Sequence, residues 1–155
     1  ADTVLSCQIR AASTLFDSDL RRVATALAAL AQRHAATPSI GRTLLQDALP
    51  IGFGLRIAQW RAGIADAAER LRREGEDAAR LQFGGGAGTR AGLGGKGGAV
   101  AARLAAALDL PDAAPWHARR GGIAGTATAL AIVVGALGKM ARDVSLLAQN
   151  GIGEA

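Results

Sequence analysis

Residues Gly121 to Gly138 form an uncharged, almost wholly apolar run, bracketed by Arg119-Arg120 and Lys139. Through this run and beyond it, Ile123, Leu130, Leu137 and Val144 recur at every seventh position, and Thr126, Val133, Met140 and Leu147 make a second row at the same spacing. Paired heptad rows predict a helix that packs against other helices, running from His117 or Arg120 to Gln149. From Leu130 to Leu137 nearly every side chain is apolar, and a helix that is hydrophobic all round must be enclosed. A chain of 155 residues has too few other long helices to enclose it, so either partner subunits or further chain is expected to supply the rest of the wall. At about 18 residues the uncharged run also reaches the threshold of a membrane span, with Gly121 and Gly125 spaced as a small-residue packing face. The heptad rows continue unbroken through Arg142 and Asp143, a register that a lipid-facing helix has no reason to keep. No membrane partner is therefore expected, and a small membrane protein is the weaker reading of this run.

Two more long helices are expected. The first spans about Asp2 to His34, where Ile9, Phe16, Val23 and Leu30 recur every seven residues with Leu5, Ala12, Leu20 and Leu27 between them. It stops before Thr37-Pro38, because the residue preceding a proline is pushed out of helical geometry. The second spans about Gly52 to Glu74, with Ile57, Trp60, Ile64, Ala67 and Leu71 on one face and Gly75 as its expected stop. Between them, Ser39 to Pro50 reads as an irregular connector, too short for a sheet of its own. A glycine-rich loop from Leu81 to Gly98, a short helix from about Ala99 to Leu108 and a proline-bearing turn from Asp112 to Trp116 complete the chain. Hydrophobic residues make up 50% and aromatic ones only 3%, so strand formers are thin and an all-α, long-helix bundle is predicted.

The formal charge is +5, from 18 Lys+Arg against 13 Asp+Glu, and nearly all the cations are arginines. They are scattered and lack interleaved aromatics, which argues against a nucleic-acid surface. Isolated arginines suit small carboxylates, because the guanidinium matches a carboxylate in a fork geometry. Cys7 alone excludes an internal disulfide framework and a cysteine-cluster zinc site, and His34 and His117 stand too far apart in sequence to suggest a metal pair. The lone thiol and an N-terminus without a basic-then-apolar leader favour the cytoplasm.

Gly86-Ala-Gly88-Thr-Arg-Ala91 fits a dinucleotide pattern in form, but no strand precedes it; Gly95-Lys96-Gly97 lacks the Ser or Thr of a phosphate loop. No serine has a histidine arrangement beside it that would activate it. The connector is more informative: Arg42, Thr43 and Gln46 offer a cation, a hydroxyl and an amide between two rigid helices, where binding residues concentrate.

Four motifs, in order and in register, carry a resemblance: Gly41-Arg-Thr-x-x-Gln-x-Ala-Leu-Pro50, Leu81-Gln-Phe-Gly-Gly-x-Ala-Gly-Thr89, Pro115-Trp-His117 with Arg120, and Gly138-Lys-x-x-Arg-Asp-x-Ser-Leu-Leu147. Together they resemble the fumarase/aspartase superfamily over essentially the whole chain. They are most similar to its bacterial 3-carboxy-cis,cis-muconate cycloisomerase branch, with adenylosuccinate lyase more distant. The resemblance implies a central domain of long helices that joins three others in a homotetramer, with active sites where segments of three subunits meet. It further implies lactonisation of a tricarboxylate in protocatechuate breakdown, with neither metal nor organic cofactor. Carried over by position, Arg42, Thr43, Gln46, His117 and Arg120 become substrate-binding residues. A histidine acid follows the connector threonine in many superfamily members; here that place is Leu44, and the cycloisomerase branch often lacks the histidine too, so its absence favours that branch.

The motif that usually reads Trp-His-Thr-Gln-Arg-Asp is here Trp116-His-Ala-Arg-Arg-Gly121. By the same resemblance, an N-terminal domain with a Thr-Ser-x-Asp loop would precede Asp2, and a Gly-Ser-Ser loop bearing the serine base would follow Glu154. The chain is thus expected to be a partial central domain, residues 1–155, with no catalytic residue of its own and no activity alone. A non-catalytic helical assembly module, or a different lyase of the same superfamily, would also fit these residues.

Overall fold

The computed structural model describes all 155 residues. In chain order the elements are α1 (Asp2–Arg33), β1 (Pro38–Thr43), β2 (Gln46–Gly52), α2 (Phe53–Ala78), α3 (Gly97–Leu108) and α4 (Gly121–Leu147), with one 3₁₀ turn at Ala91–Leu93. The helical class expected from the sequence is observed. The chain divides into two compact units: Ala1–Asp17 with Arg70–Leu130, and Ser18–Glu69 with Ala131–Ala155.

In the first unit, small residues let helices approach closely. The Ser6 hydroxyl, fully buried, donates to the Ala78 carbonyl at 3.3 Å. Thr126 donates to the carbonyls of Glu74 and Gly122, each at 3.0 Å. A Cβ on Gly75 would lie 2.7 Å from Ser13 Oγ. Gly75 does not end α2, which continues to Ala78, so the expected stop is corrected; the glycine sits where a neighbouring helix comes close. A satellite core forms where Leu81, Ala101 and Ala105 meet Phe83, Leu104 and Leu108. Helix α3 ends on Asp109 in the left-handed region (φ 53°), whose N–H turns back to the carbonyls of Ala105 and Ala106.

In the second unit, Ile57, Trp60, Ile64 and Ala67 are buried together with Leu20, Leu27, Val133 and Leu147. Phe53 stands edge-on to His34 at 5.8 Å and to Trp60 at 6.4 Å. His34 closes α1 by pairing its Nδ1 with Thr37 Oγ1 at 3.2 Å. The start of α2 lies against the end of α1: Gly54 N–H donates to His34 O at 2.9 Å, and a Cβ on Gly54 would lie 2.8 Å from Ala35 Cα.

The connector departs from expectation. It is an antiparallel hairpin with Thr43 opposite Gln46 and Arg42 opposite Asp47, bulged between Ile40 and Arg42. The turn is Leu44-Leu45, both at positive φ (50° and 62°), as a two-residue type I′ turn requires. Such turns favour Asn-Gly; two leucines carry a cost of about 1–2 kcal/mol each in this conformation. Leu44 is 96% exposed. With Pro50 in the second strand and no Asn-Gly signal, nothing local announces a hairpin.

The long seams are half as predicted. On α1 the intervening residues Leu20 and Leu27 are buried, whereas Phe16 of the heptad row is exposed. On α4 the row containing Thr126, Val133 and Leu147 is buried, while Ile132, Val134 and Val144 stand exposed, Val134 at 68%. This helix is also the one long and apolar enough to cross a membrane by length and composition. The chain by itself does not enclose it.

Two substitutions test this account, both followed by urea unfolding monitored by circular dichroism. Gly54→Ala is expected to lower stability by about 1–3 kcal/mol through the forced clash. Leu44→Asn with Leu45→Gly is expected to raise it by about 1 kcal/mol through relief of the left-handed leucines. A neutral result for the first, or a loss for the second, contradicts the packing or the turn geometry described.

Candidate functional site

The hairpin brings Arg42, Thr43 and Gln46 together. Thr43 and Gln46 flank the turn as a cross-strand pair and are exposed, so the hydroxyl and the amide are open to a ligand. Arg42 lies one position back and is largely covered, its side chain 19% exposed. Its Nε donates to Asp47 at 3.0 Å and its Nη2 to Glu154 at 3.1 Å. The predicted anion-binding cation is therefore held by two carboxylates of its own chain.

Beside the hairpin opens a groove of about 670 Å³ lined by Arg42, Leu44, Arg56, Lys139, Arg142 and Asp143 among others. Arg42 and Lys139 are paired with carboxylates of the chain, so the cations of that set that carry no ion pair and suit an anionic ligand are Arg56 and Arg142. Thr43 and Gln46 do not line it. Arg56 reaches back to β1, donating to Ile40 O at 2.6 Å and to Ser39 Oγ at 3.3 Å. Asp143 accepts from Trp60 Nε1 at 2.6 Å and pairs with Lys139 one helical turn earlier.

In the first unit the glycine-rich stretch receives the turn that carries His117. Trp116 Nε1 donates to Leu81 O at 3.0 Å, and the Trp116 N–H donates to Gln82 Oε1. A Cβ on Gly84 would lie 2.7 Å from Pro115 Cβ, and one on Gly88 (φ 71°) 2.9 Å from His117 Cε1. The glycines thus admit Pro115 and His117 directly against the backbone, an account of the glycine-rich motif in which no nucleotide is needed. Arg90 ties the two loops together, donating to Phe83 O at 2.9 Å and to Ala113 O at 2.8 Å. Arg120 pairs with Asp2 at 2.9 Å and lies over the Trp116 ring at 5.8 Å. His117 itself is exposed. A cavity of about 600 Å³ adjoins this turn, lined by Asp77, Arg80, Asp112, Trp116, Arg119 and Gly122 among others. The structure thus sorts the predicted residues into two groups, Arg42 with Thr43 and Gln46, and His117 with Arg120.

Sequence reasoning misses Ser39, Arg56 and Glu154. Arg42 and Glu154 are separated by 112 positions, so no spacing rule can pair them. A glutamate preceded by Gly151 and Gly153, both at positive φ, is the one local sign of a chain doubling back.

Two carboxyls in the second unit titrate below their usual range. Hydrogen bonds from Arg42 lower Glu154, and its partial burial opposes them without prevailing. For Asp143, burial pushes upward, but the hydrogen bonds from Lys139 and Trp60 outweigh it and the net direction is down. The same Glu154 contact raises the Arg42 guanidinium, so that group stays charged at any working pH. A carboxyl with a lowered folded-state pKa contributes stability that is present above its unfolded value and lost as pH falls through the folded one. Melting temperature is therefore expected to hold near neutrality and to fall on acidification below the ordinary carboxylate range. Asp143→Asn keeps an acceptor for Trp60 and should remove part of that acid-side slope in circular-dichroism melts. A slope of opposite sign would exclude this assignment.

The whole chain, residues 1–155, matches the protein family described as lyase. It is 51% identical over 155 residues to 3-carboxy-cis,cis-muconate cycloisomerase of Bradyrhizobium diazoefficiens, covering 99% of this chain and 34% of that protein. It is 40% identical over 164 residues to nitrosuccinate lyase of Streptomyces davaonensis, covering 99% and 34%. The crystal structure of 3-carboxy-cis,cis-muconate lactonizing enzyme from Pseudomonas putida superposes with a TM-score of 0.94 at 40% identity, covering 98% of this chain and 35% of that one. The chain thus spans about a third of the length of the relatives it matches. The motifs, the helices between them and these matches agree: the chain belongs to the lyase family of the fumarase/aspartase superfamily.

Proposed function

We propose that residues 1–155 are part of the central helical domain of a 3-carboxy-cis,cis-muconate cycloisomerase-like enzyme, acting on a tricarboxylate in the cytoplasm. The observation that carries this is the 51% identity to the Bradyrhizobium cycloisomerase over 99% of the chain. The exposed Thr43–Gln46 pair on the hairpin supports it. In the reaction, one substrate carboxylate oxygen adds to a carbon–carbon double bond while the adjacent carbon takes a proton from a general acid. The π bond is lost, a C–O bond forms, and the atoms balance without a redox partner. Charge builds on the carboxylate next to the protonated carbon, and donors already aimed at it lower the barrier. Thr43 and Gln46 are the hairpin's neutral donors for that task. His117 and Arg120 are a second set, held by the Trp116 turn.

The exposed face of α4 is the proposed contact with identical subunits. Fully burying a side chain such as Val134, Ile132 or Val144 is worth about 1.5–3 kcal/mol, and an assembly of four copies would cover what one copy leaves bare. The isolated chain is proposed to lack turnover, because acid–base catalysis needs a positioned proton donor and base and none is evident among its side chains.

The test is a lactonisation assay on two proteins: the 155-residue chain, and the same chain extended by its flanking reading frame. The extended protein should convert 3-carboxy-cis,cis-muconate to its lactone, and the short chain should not. In the extended protein, Gln46→Ala should lower kcat/KM by about a hundredfold. Release of fumarate from a succinyl substrate, with no lactone formed, would favour another superfamily lyase instead. Light scattering and detergent-free solubility separate a tetramer-forming chain from a monomeric module and from a membrane protein.

A further inference from the structure

We propose that Glu154 is a positioning residue: its carboxylate latches Arg42 and Ser39, fixes the hairpin, and leaves ligand recognition there to Thr43 and Gln46. This rests on the function proposed above for its catalytic consequence, though not for the latch itself.

A two-stranded hairpin is marginal alone, and this one has a strained leucine turn and an exposed second strand. Something outside the sheet must hold it. Glu154 accepts from Ser39 Oγ at 2.8 Å and from Arg42 Nη2 at 3.1 Å and Nη1 at 3.3 Å. Ser39 is 6% exposed, and the Glu154 side chain 20%. Arg56 completes the ring from α2 through Ser39 Oγ and Ile40 O. The charged groups facing the latch are thus Arg42 on β1, Asp47 on β2 and Arg56 on α2.

The segment after α4 is shaped to deliver this carboxylate. Gly151 and Gly153 take positive φ (88° and 57°), and Glu154 N–H returns to Leu147 O at 2.9 Å. Arginine pairs with carboxylate in a fixed fork, so Arg42 cannot serve a substrate carboxylate without releasing Glu154. Its role is to transmit Glu154's position to the neighbouring Thr43. Displacements near 1 Å at substrate-contacting groups cost about a hundredfold in rate, so a loosened hairpin should be seen first in turnover.

Two measurements test the latch. In the 155-residue chain, hydrogen exchange of residues 38–52 and the resonance of the Arg42 Nη–H groups, which donate to Glu154, are compared between wild type, Glu154→Gln and Glu154→Asp. Glu154→Gln should speed hairpin exchange about tenfold or more and shift the Arg42 signal, with α2 amides unchanged and Glu154→Asp intermediate. Hairpin exchange within twofold of wild type, or an unmoved Arg42 signal, overturns the proposal. In the extended protein, Glu154→Gln should lower kcat about tenfold or more with KM changed less than threefold. A fall in KM would mean that the freed guanidinium binds substrate, and would overturn it as well. If the extended protein forms no lactone, the cycloisomerase proposal fails while the exchange data still decide the latch.

Discussion

Burial of one stripe on α2 is the constraint from which the rest follows. Ile57, Trp60, Ile64, Ala67 and Leu71 are all buried, and Ile57 and Ile64 are almost completely inaccessible. No other helix has its whole predicted face covered. Because α2 is committed along its length, the backbone at its start must pass close to the end of α1, which only Gly52 and Gly54 permit. The hairpin is thereby held between two fixed points, Pro38 just after α1 and Gly52 just before α2. Its geometry is a consequence of helix packing, and its strained turn is tolerated because the flanking helices over-determine it.

The elements legible in the sequence are those whose signal is local and periodic. The α2 stripe repeats with helical period and is legible whole. The break at Thr37-Pro38 is legible because proline constrains its neighbour directly. The hairpin reads as an irregular connector because its stability comes from outside it: a leucine turn carries no turn signature, and the second strand shows no alternation. Arg42, Thr43 and Gln46 do fall in one segment, as the sequence indicates. That Arg42 is already paired is not legible, since its partner is Glu154, brought back by two glycines at the far end of the chain. On α1 the heptad row misleads, because spacing alone does not say which of two adjacent rows turns inward.

Helix α4 shows where a hydropathy pattern and a single chain part company. A helix apolar on all sides is expected to be sheathed by neighbours, yet within this chain it buries little beyond Thr126, Ala129, Val133 and Leu147. The family assignment does not depend on that sheathing, since it stands on matches along the full 155 residues. The bare face is the same datum seen from the other side: Val134 and Val144 stand in the open, which is costly in water, and of the two only Val144 belongs to a heptad row.

The two groups of proposed contact residues share one design. In each, a cation that looks available in the sequence is engaged by a carboxylate of the chain itself: Arg42 by Asp47 and Glu154, Arg120 by Asp2. On the hairpin the neighbouring Thr43 and Gln46 are exposed while Arg42 is largely covered, whereas beside Trp116 both His117 and Arg120 are exposed. A guanidinium tied to a carboxylate is a rigid strut with little net charge to offer. Under the proposed function, the hydroxyl, amide and imidazole groups beside these pairs can meet a carboxylate substrate without first breaking an internal ion pair. Reorganisation at the moment of reaction is then small, which is the condition under which fixed donors stabilise developing charge most effectively.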